Sequence, residues 1–212
     1  ARHDEANAII RTAIELGPES WEVNKEAARL LFRQGQMREA IPYFEKSAAL
    51  METDYHAPGM LQTCYGAIED REGLLRSARM TLDRTEKALA QDPSNGSALG
   101  LGAGALAVLG EGDRAKQWIQ RAMLIAPENL TMRYNCVCAL TVELRDYEGA
   151  LELLDTFVDK MNAMLVTHLQ VDPDIEPLRK DPRYQAMLDR AKGRIAANED
   201  PTKVAAAGSD SA

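Results

Sequence analysis

Small and apolar residues recur along this chain at a phase that fits helices. From Trp21 they fall at Ala27, Ala28 and Leu31, then, past Gly35, at Ala40, Phe44 and Leu50. From Gly96 the same offsets give Gly102, Ala103, Leu106, Gly110, Ala115, Ile119 and Ile125, and Pro127 closes the unit. A start at Thr131 gives Val137, Cys138, Thr141, Ala150, Leu154 and Phe157. The stretch between, from about Pro58, reads Cys64, Tyr65, Ile68, Ala88 and Pro93, with about one extra helical turn. Ala6, Ile10, Ala13, Leu16 and Pro18 fit the second half of a unit whose first half is absent. Each unit predicts two helices joined by a short turn, so the chain reads as an array of helical hairpins.

The residue types explain how such hairpins would pack. Ala27/Ala28, Gly102/Ala103 and Ala40/Ala115/Ala150 let two helix backbones approach closely, while Leu31, Phe44, Leu106, Ile119 and Leu154 fill the space between units. Gly35 and Gly110 suit the left-handed residue that ends a first helix. Pro18, Pro93 and Pro127 stop second helices. Leu144-Arg145 stands where that glycine is expected, and Glu52 where the closing proline is expected.

This pattern resembles the tetratricopeptide repeat, whose unit of about 34 residues is a pair of antiparallel helices. The resemblance implies an all-α, right-handed superhelical solenoid of helix-turn-helix repeats with a C-terminal capping helix. It divides the chain into 1–18, the second helix of a truncated repeat, and 19–163, the array with units from about 21, 58, 96 and 131. A terminal short segment and capping helix follow at 164–198, then a disordered tail at 199–212. Asp181-Pro182 opens the last helix, with Tyr184, Met187, Leu188, Ala191 and Ile195 on its inner face. The apolar face of the first helix (Ile9, Ile10, Ala13, Leu16) lacks its usual partner, which implies further sequence upstream of Ala1 and a route to self-association.

The run from Asp172 to Leu188, D-P-D-I-E-P-L-R-K-D-P-R-Y-Q-A-M-L, carries a second resemblance. With "YFEKSAALMETDY" and "NLTMRYNCVCAL", it is similar to tetratricopeptide regions of multidomain bacterial signalling proteins. There such regions follow class III adenylate/guanylate cyclase domains, or DNA-binding and TolB-like modules. That likeness implies a regulatory or assembly region.

Composition narrows the function classes. With 45% hydrophobic, 27% charged and only 5% aromatic residues, the chain can bury a core rich in helix formers. A net charge of −8 argues against general nucleic-acid binding, which needs a basic face to displace counterions. Three cysteines (Cys64, Cys136, Cys138) without a C-x-x-C fit a reducing, cytoplasmic compartment. The N-terminus has acids where a signal peptide would be basic, and the most apolar window, Ala98 to Leu109, is short of the roughly 20 residues that span a bilayer.

No enzyme constellation emerges. His3, His56 and His168 have no Cys, Ser or acid at the spacing of a triad or a metal pair, and His168 reads as an ordinary partly buried residue. Cys136 and Cys138 project about 200° apart on a helix, which suits packing better than chelation. Gly100-x-Gly102-x-Gly104 has phosphate-loop spacing but lies inside a predicted helix, where close packing would offset roughly 1 kcal/mol per glycine. Asp172-Pro173-Asp174-Ile175-Glu176 hints at calcium, but Pro177 stands where an EF-hand loop has glycine. No catalytic residue, cofactor or metal is therefore expected.

What remains is the concave groove that the repeat resemblance implies along the first helices. Lys25, Arg29 and Arg33, spaced by four, form a stripe there with Phe32 as an apolar contact, a surface for an acidic peptide or helix. The alternative is a solvated face paired with Glu22, Glu26 and neighbouring acids. Further along lie Gln62 and Gly66, then Ser97, Gly100, Gly104 and Ala107, then Met132, Asn135, Ala139 and Val142, with Asn135 placed to bond a peptide backbone. The expected function is a protein-protein interaction scaffold that binds a partner segment in this groove. The alternative is a regulatory region of a nucleotide cyclase or related signalling protein.

Overall fold

The computed structural model describes residues 2–199, whose regular elements are all helical. After α1 (Arg2–Leu16) come four hairpins. They are α2 (Trp21–Arg33) with α3 (Met37–Leu50), α4 (His56–Ala67) with α5 (Arg71–Gln91), α6 (Gly96–Val108) with α7 (Gly112–Ile125), and α8 (Leu130–Val142) with α9 (Tyr147–Asp155). A 3-10 turn (Val158–Lys160), α10 (Ala163–Val171), a 3-10 segment (Pro173–Leu178) and α11 (Pro182–Glu199) complete the chain. Each hairpin packs on the next, giving the expected solenoid of helical hairpins.

Local chemistry sets the helix starts. Ser20, Asp70, Asn95, Asn129, Asp146 and Asn162 each accept a hydrogen bond from the backbone N–H three residues on, satisfying a donor that the first turn leaves open. The turns between paired helices all use one left-handed residue. Gly35 (φ 75°) and Gly110 (φ 84°) take it as expected, while Glu69 (φ 60°) and Arg145 (φ 51°) take it without glycine's freedom. A left-handed conformation costs a residue with a Cβ about 1–2 kcal/mol, and glycine's larger unfolded-state entropy returns part of that. Glu69→Gly is therefore expected to stabilise the chain by about 0.5–1 kcal/mol in urea unfolding.

The second unit is longer than expected. Its α5 runs 21 residues against 14 in α3 and α7, two extra turns in place of one. No glycine or proline interrupts it after Gly73, and the buried Thr81 and Thr85 hydroxyls donate to the Ser77 and Thr81 carbonyls within the helix. The added length carries Arg84 to the end of α3, where the closing proline is missing. There Arg84 donates to the carbonyls of Ala48 (2.9 Å), Met51 (3.1 Å) and Asp54 (2.7 Å).

The helical glycines mark close approaches. A methyl on Gly102 would lie 2.2 Å from Trp118 Cζ3, and one on Gly100 would lie 3.1 Å from Met132. On α11, Tyr184, Met187, Leu188 and Ala191 are buried against a core that includes Phe157, Met161, Leu169 and Ile175, while Arg183 and Arg190 form surface ion pairs. On α1, Ile9 and Leu16 stay exposed while Ile10 and Ala13 are half-buried. The tail beyond residue 199 lies outside the described residues.

Candidate functional site: a cavity under a C-terminal strap

The first helices α4, α6 and α8 turn one face each toward the concave side. Positions three, four or seven apart share that face: Gly59, Thr63 and Gly66, then Gly100, Gly104 and Val108, then Asn135, Cys138 and Val142. Across them runs the end of α10 and the segment after it, bringing His168, Asp172, Pro173, Asp174, Glu176 and Pro177 over the groove. Helices and strap border a cavity of about 590 Å³ that is open to solvent on one side.

The strap is held at both ends and along its length. Ile175 and Leu178 are buried in the core. Tyr134 donates its hydroxyl to Asp172 Oδ2 at 2.9 Å, and Thr63 donates to Asp174 Oδ2 at 2.8 Å. His168 Nε2 lies 3.3 Å from Asp172 Oδ2, and the imidazole stacks on Phe32 with 5.1 Å between ring centroids. Asp172 Oδ1 accepts from the Asp174 N–H, and Arg179 donates to the Asp172 carbonyl.

Two acids next to each other in this setting change their own chemistry. Burial, reinforced by Asp172, pushes the Asp174 carboxyl well above the usual carboxylate range. Burial and the same two acids push the Cys138 thiol well up. A Cys138 sulfur and one oxygen each of Asp172 and Asp174 lie within 4.8 Å of one another, the donor spacing of a cation site. Among the described residues Asp172 is bonded by Tyr134 and Asp174 Oδ2 by Thr63, while Asp174 Oδ1 accepts no hydrogen bond. Cys136 points away into the core with its sulfur 3.6 Å from Met132 Sδ, as the 200° spacing requires.

A raised carboxyl destabilises the fold where it must ionise. The stability Asp174 contributes is full below its unfolded value near 4 and is lost as pH rises through its folded value. Asp174→Asn, which can still accept from Thr63, is expected to raise Tm at pH 7–8. That gain should shrink as pH falls toward about 4, as followed by circular dichroism melts.

The groove residues expected from sequence divide into two groups. Gln62, Gly100, Gly104 and Asn135 line the cavity. Asn135 makes no side-chain hydrogen bond among the described residues, whereas Gln62 donates to Thr81 at 2.9 Å. Lys25, Arg29, Phe32, Arg33 and Ser97 lie outside its lining. Lys25 is 3.1 Å from Asp54 with its side chain only 12% exposed, and it also sits over the Trp21 ring. Arg29 pairs with Glu26 at 2.8 Å, and Phe32 is buried under His168. Ser97 accepts from Asn129 at 3.3 Å, and Arg33 is half-buried.

Sequence reasoning missed Thr63, Tyr134, Cys138, His168, Asp172 and Asp174 as members of one site. The available signal was the D-P-D run, two acids beside a proline with no lysine or arginine until Arg179.

No family model and no curated protein matches the chain. Solved structures similar to it include MamA, at 15% identity over 76% of this chain and 88% of that one, with a TM-score of 0.45. Another is YrrB, described as a TPR protein with an unusual peptide-binding site, at 19% identity over 86% of this chain and 90% of that one, with a TM-score of 0.42. At these identities and scores the functional reading rests on the geometry of the cavity alone.

Proposed function

We propose that this chain is a protein-interaction scaffold that captures a partner segment in the cavity between the strap and α4, α6 and α8. The supporting observation is that cavity. Its volume, about 590 Å³, falls in the range of ligand pockets. Met60, Leu101, Val108 and Val142 supply apolar wall. A side chain added at Gly66 or Gly104 would meet nothing within 4 Å, so backbone can be approached there, and the Asn135 amide is free to bond a peptide.

The thiols favour binding over covalent chemistry. Burial pushes Cys64 and Cys136 up to about 12, and Cys138 is raised further by its acidic neighbours. Such groups are protonated near neutrality and weakly nucleophilic. The role of a cyclase-linked regulatory region draws only on the likeness of the Asp172–Leu188 run, and no feature of the cavity favours it over peptide capture.

Gly104→Leu tests the reading, because it fills the cavity from a position that has room and improves helix propensity by roughly 1 kcal/mol. Peptides selected on the immobilised chain from a random phage-displayed library are expected to weaken by at least about tenfold on this variant, with Tm unchanged or higher. Peptides unaffected by Gly104→Leu but lost on the Arg29→Glu/Arg33→Glu pair would move the binding surface to the basic stripe and overturn the cavity reading.

A further inference from the structure

We infer that the captured segment docks by inserting a lysine or arginine side chain, its alkyl stem along the apolar walls and its charged head at Asp174. This rests on the capture role proposed above and specifies the partner's chemistry. It is opposite in sign to the acidic partner expected from Lys25, Arg29 and Arg33.

Charge complementarity carries the inference. Four carboxylates, Glu143, Asp172, Asp174 and Glu176, border the cavity, against one arginine, Arg145, and no lysine. Glu176 is already paired with Arg179, and Glu143 has Arg71 at 4.0 Å. Among the described residues, no lysine or arginine side chain lies within ion-pair distance of the Asp172 or Asp174 carboxylate. Both Asp172 oxygens are taken by Tyr134, His168 and the Asp174 N–H. Asp174 Oδ1 accepts no hydrogen bond among the described residues, since Thr63 reaches only Oδ2. Among the described residues the fold thus places two acids together beside one histidine and no lysine or arginine, and a basic group from a ligand would relieve their mutual repulsion.

The rest of the lining decides which cation. A bare metal ion wants several donors gathered around a small volume, while here most of the wall is apolar. Lysine and arginine combine an apolar stem with a charged tip, which matches a greasy shaft ending in an acid. The Asn135 amide is available for the peptide backbone that carries such a side chain.

The experiment uses the full chain and the peptides whose binding is lost on Gly104→Leu. These are expected to share a lysine or arginine at one register. Replacing it by norleucine should weaken binding about tenfold in fluorescence anisotropy, Asp174→Asn should cause the same loss, and the two together should cost no more than either. Circular dichroism melts confirm that the Asp174→Asn variant is folded. Cavity-dependent peptides that lack a basic residue, or that keep their affinity on Asp174→Asn, would overturn the inference and leave capture standing. No peptide sensitive to Gly104→Leu would remove the capture reading itself, and the inference with it. Stabilisation by zinc or calcium chloride alone, abolished by Asp174→Asn and competitive with peptide, would overturn it in favour of a metal ion.

Discussion

Tyr184→Ala is expected to lower stability by about 4 kcal/mol, the scale of truncating a fully buried ring in a core that collapses only partly. At this chain length that corresponds to a Tm lower by roughly 8–16 °C. Tyr184 is 1% exposed and joins α11 to the core that holds Leu169, Ile175 and Leu178. Its hydroxyl donates to the Leu169 carbonyl at 3.1 Å, on the helix that leads into the strap. Tyr184→Phe keeps the ring and loses that hydrogen bond, so it should cost only about 1 kcal/mol. Because Ile175 lies in the strap, the alanine variant should also lose cavity-dependent peptides, while the phenylalanine variant retains them. Thermal and urea unfolding of both variants checks the ratio. Equal losses would mean that the ring is not what anchors the capping helix.

The second large effect is at the junction of the first two hairpins. Asp54→Ala should cost about 3–4 kcal/mol, because it leaves the half-buried Lys25 without its partner and removes the acceptor for the first N–H groups of α4. The Asp54 side chain is 7% exposed, lies 3.1 Å from Lys25 Nζ, and accepts from the backbone N–H groups of His56 and Ala57 at 3.1 Å each. Burial alone would raise its carboxyl, but the hydrogen bonds from His56 and Lys25 outweigh it and hold the group well below the usual range. A depressed carboxyl contributes stability above its unfolded value near 4 and loses it as pH falls through the folded value. The advantage of the wild-type chain over Asp54→Ala should therefore be full near neutrality and diminish below about pH 4. Denaturant midpoints at pH 7 and pH 3 read this directly. The neighbouring Arg84 shares the same loop, so a double variant with Arg84→Ala should cost less than the sum of the singles.

These two sites mark the division between local and long-range information. The hairpins were legible because a helix's apolar stripe repeats every few residues and needs nothing beyond its own segment. Gly35 and Gly110 announced left-handed turns by residue type. Glu69 and Arg145 take the same conformation with no such announcement, since the geometry of the hairpin imposes it on whichever residue stands there. Small residues likewise foretold close packing, and Gly102 against Trp118 shows it.

The candidate site was half legible. Repeat phase placed Gln62, Gly100, Gly104 and Asn135 on the concave side, and all four line the cavity. Phase says which way a side chain faces but not what meets it. Lys25 has the right phase for an open basic stripe, yet Asp54, 29 residues on, neutralises it. Phe32 was read as a groove contact and is covered by His168.

By itself, then, the amino-acid order determined an all-α hairpin array, its turn positions and the sides its helices turn inward, because these follow from backbone sterics and short-range periodicity. Tertiary structure alone decided that the chain's own segment crosses the groove and that Thr63 meets Asp174 across 111 residues. Among the described residues it also left the Asp172 and Asp174 carboxyls without a lysine or arginine partner. Such pairings depend on where distant surfaces come together in three dimensions, and no local pattern encodes that.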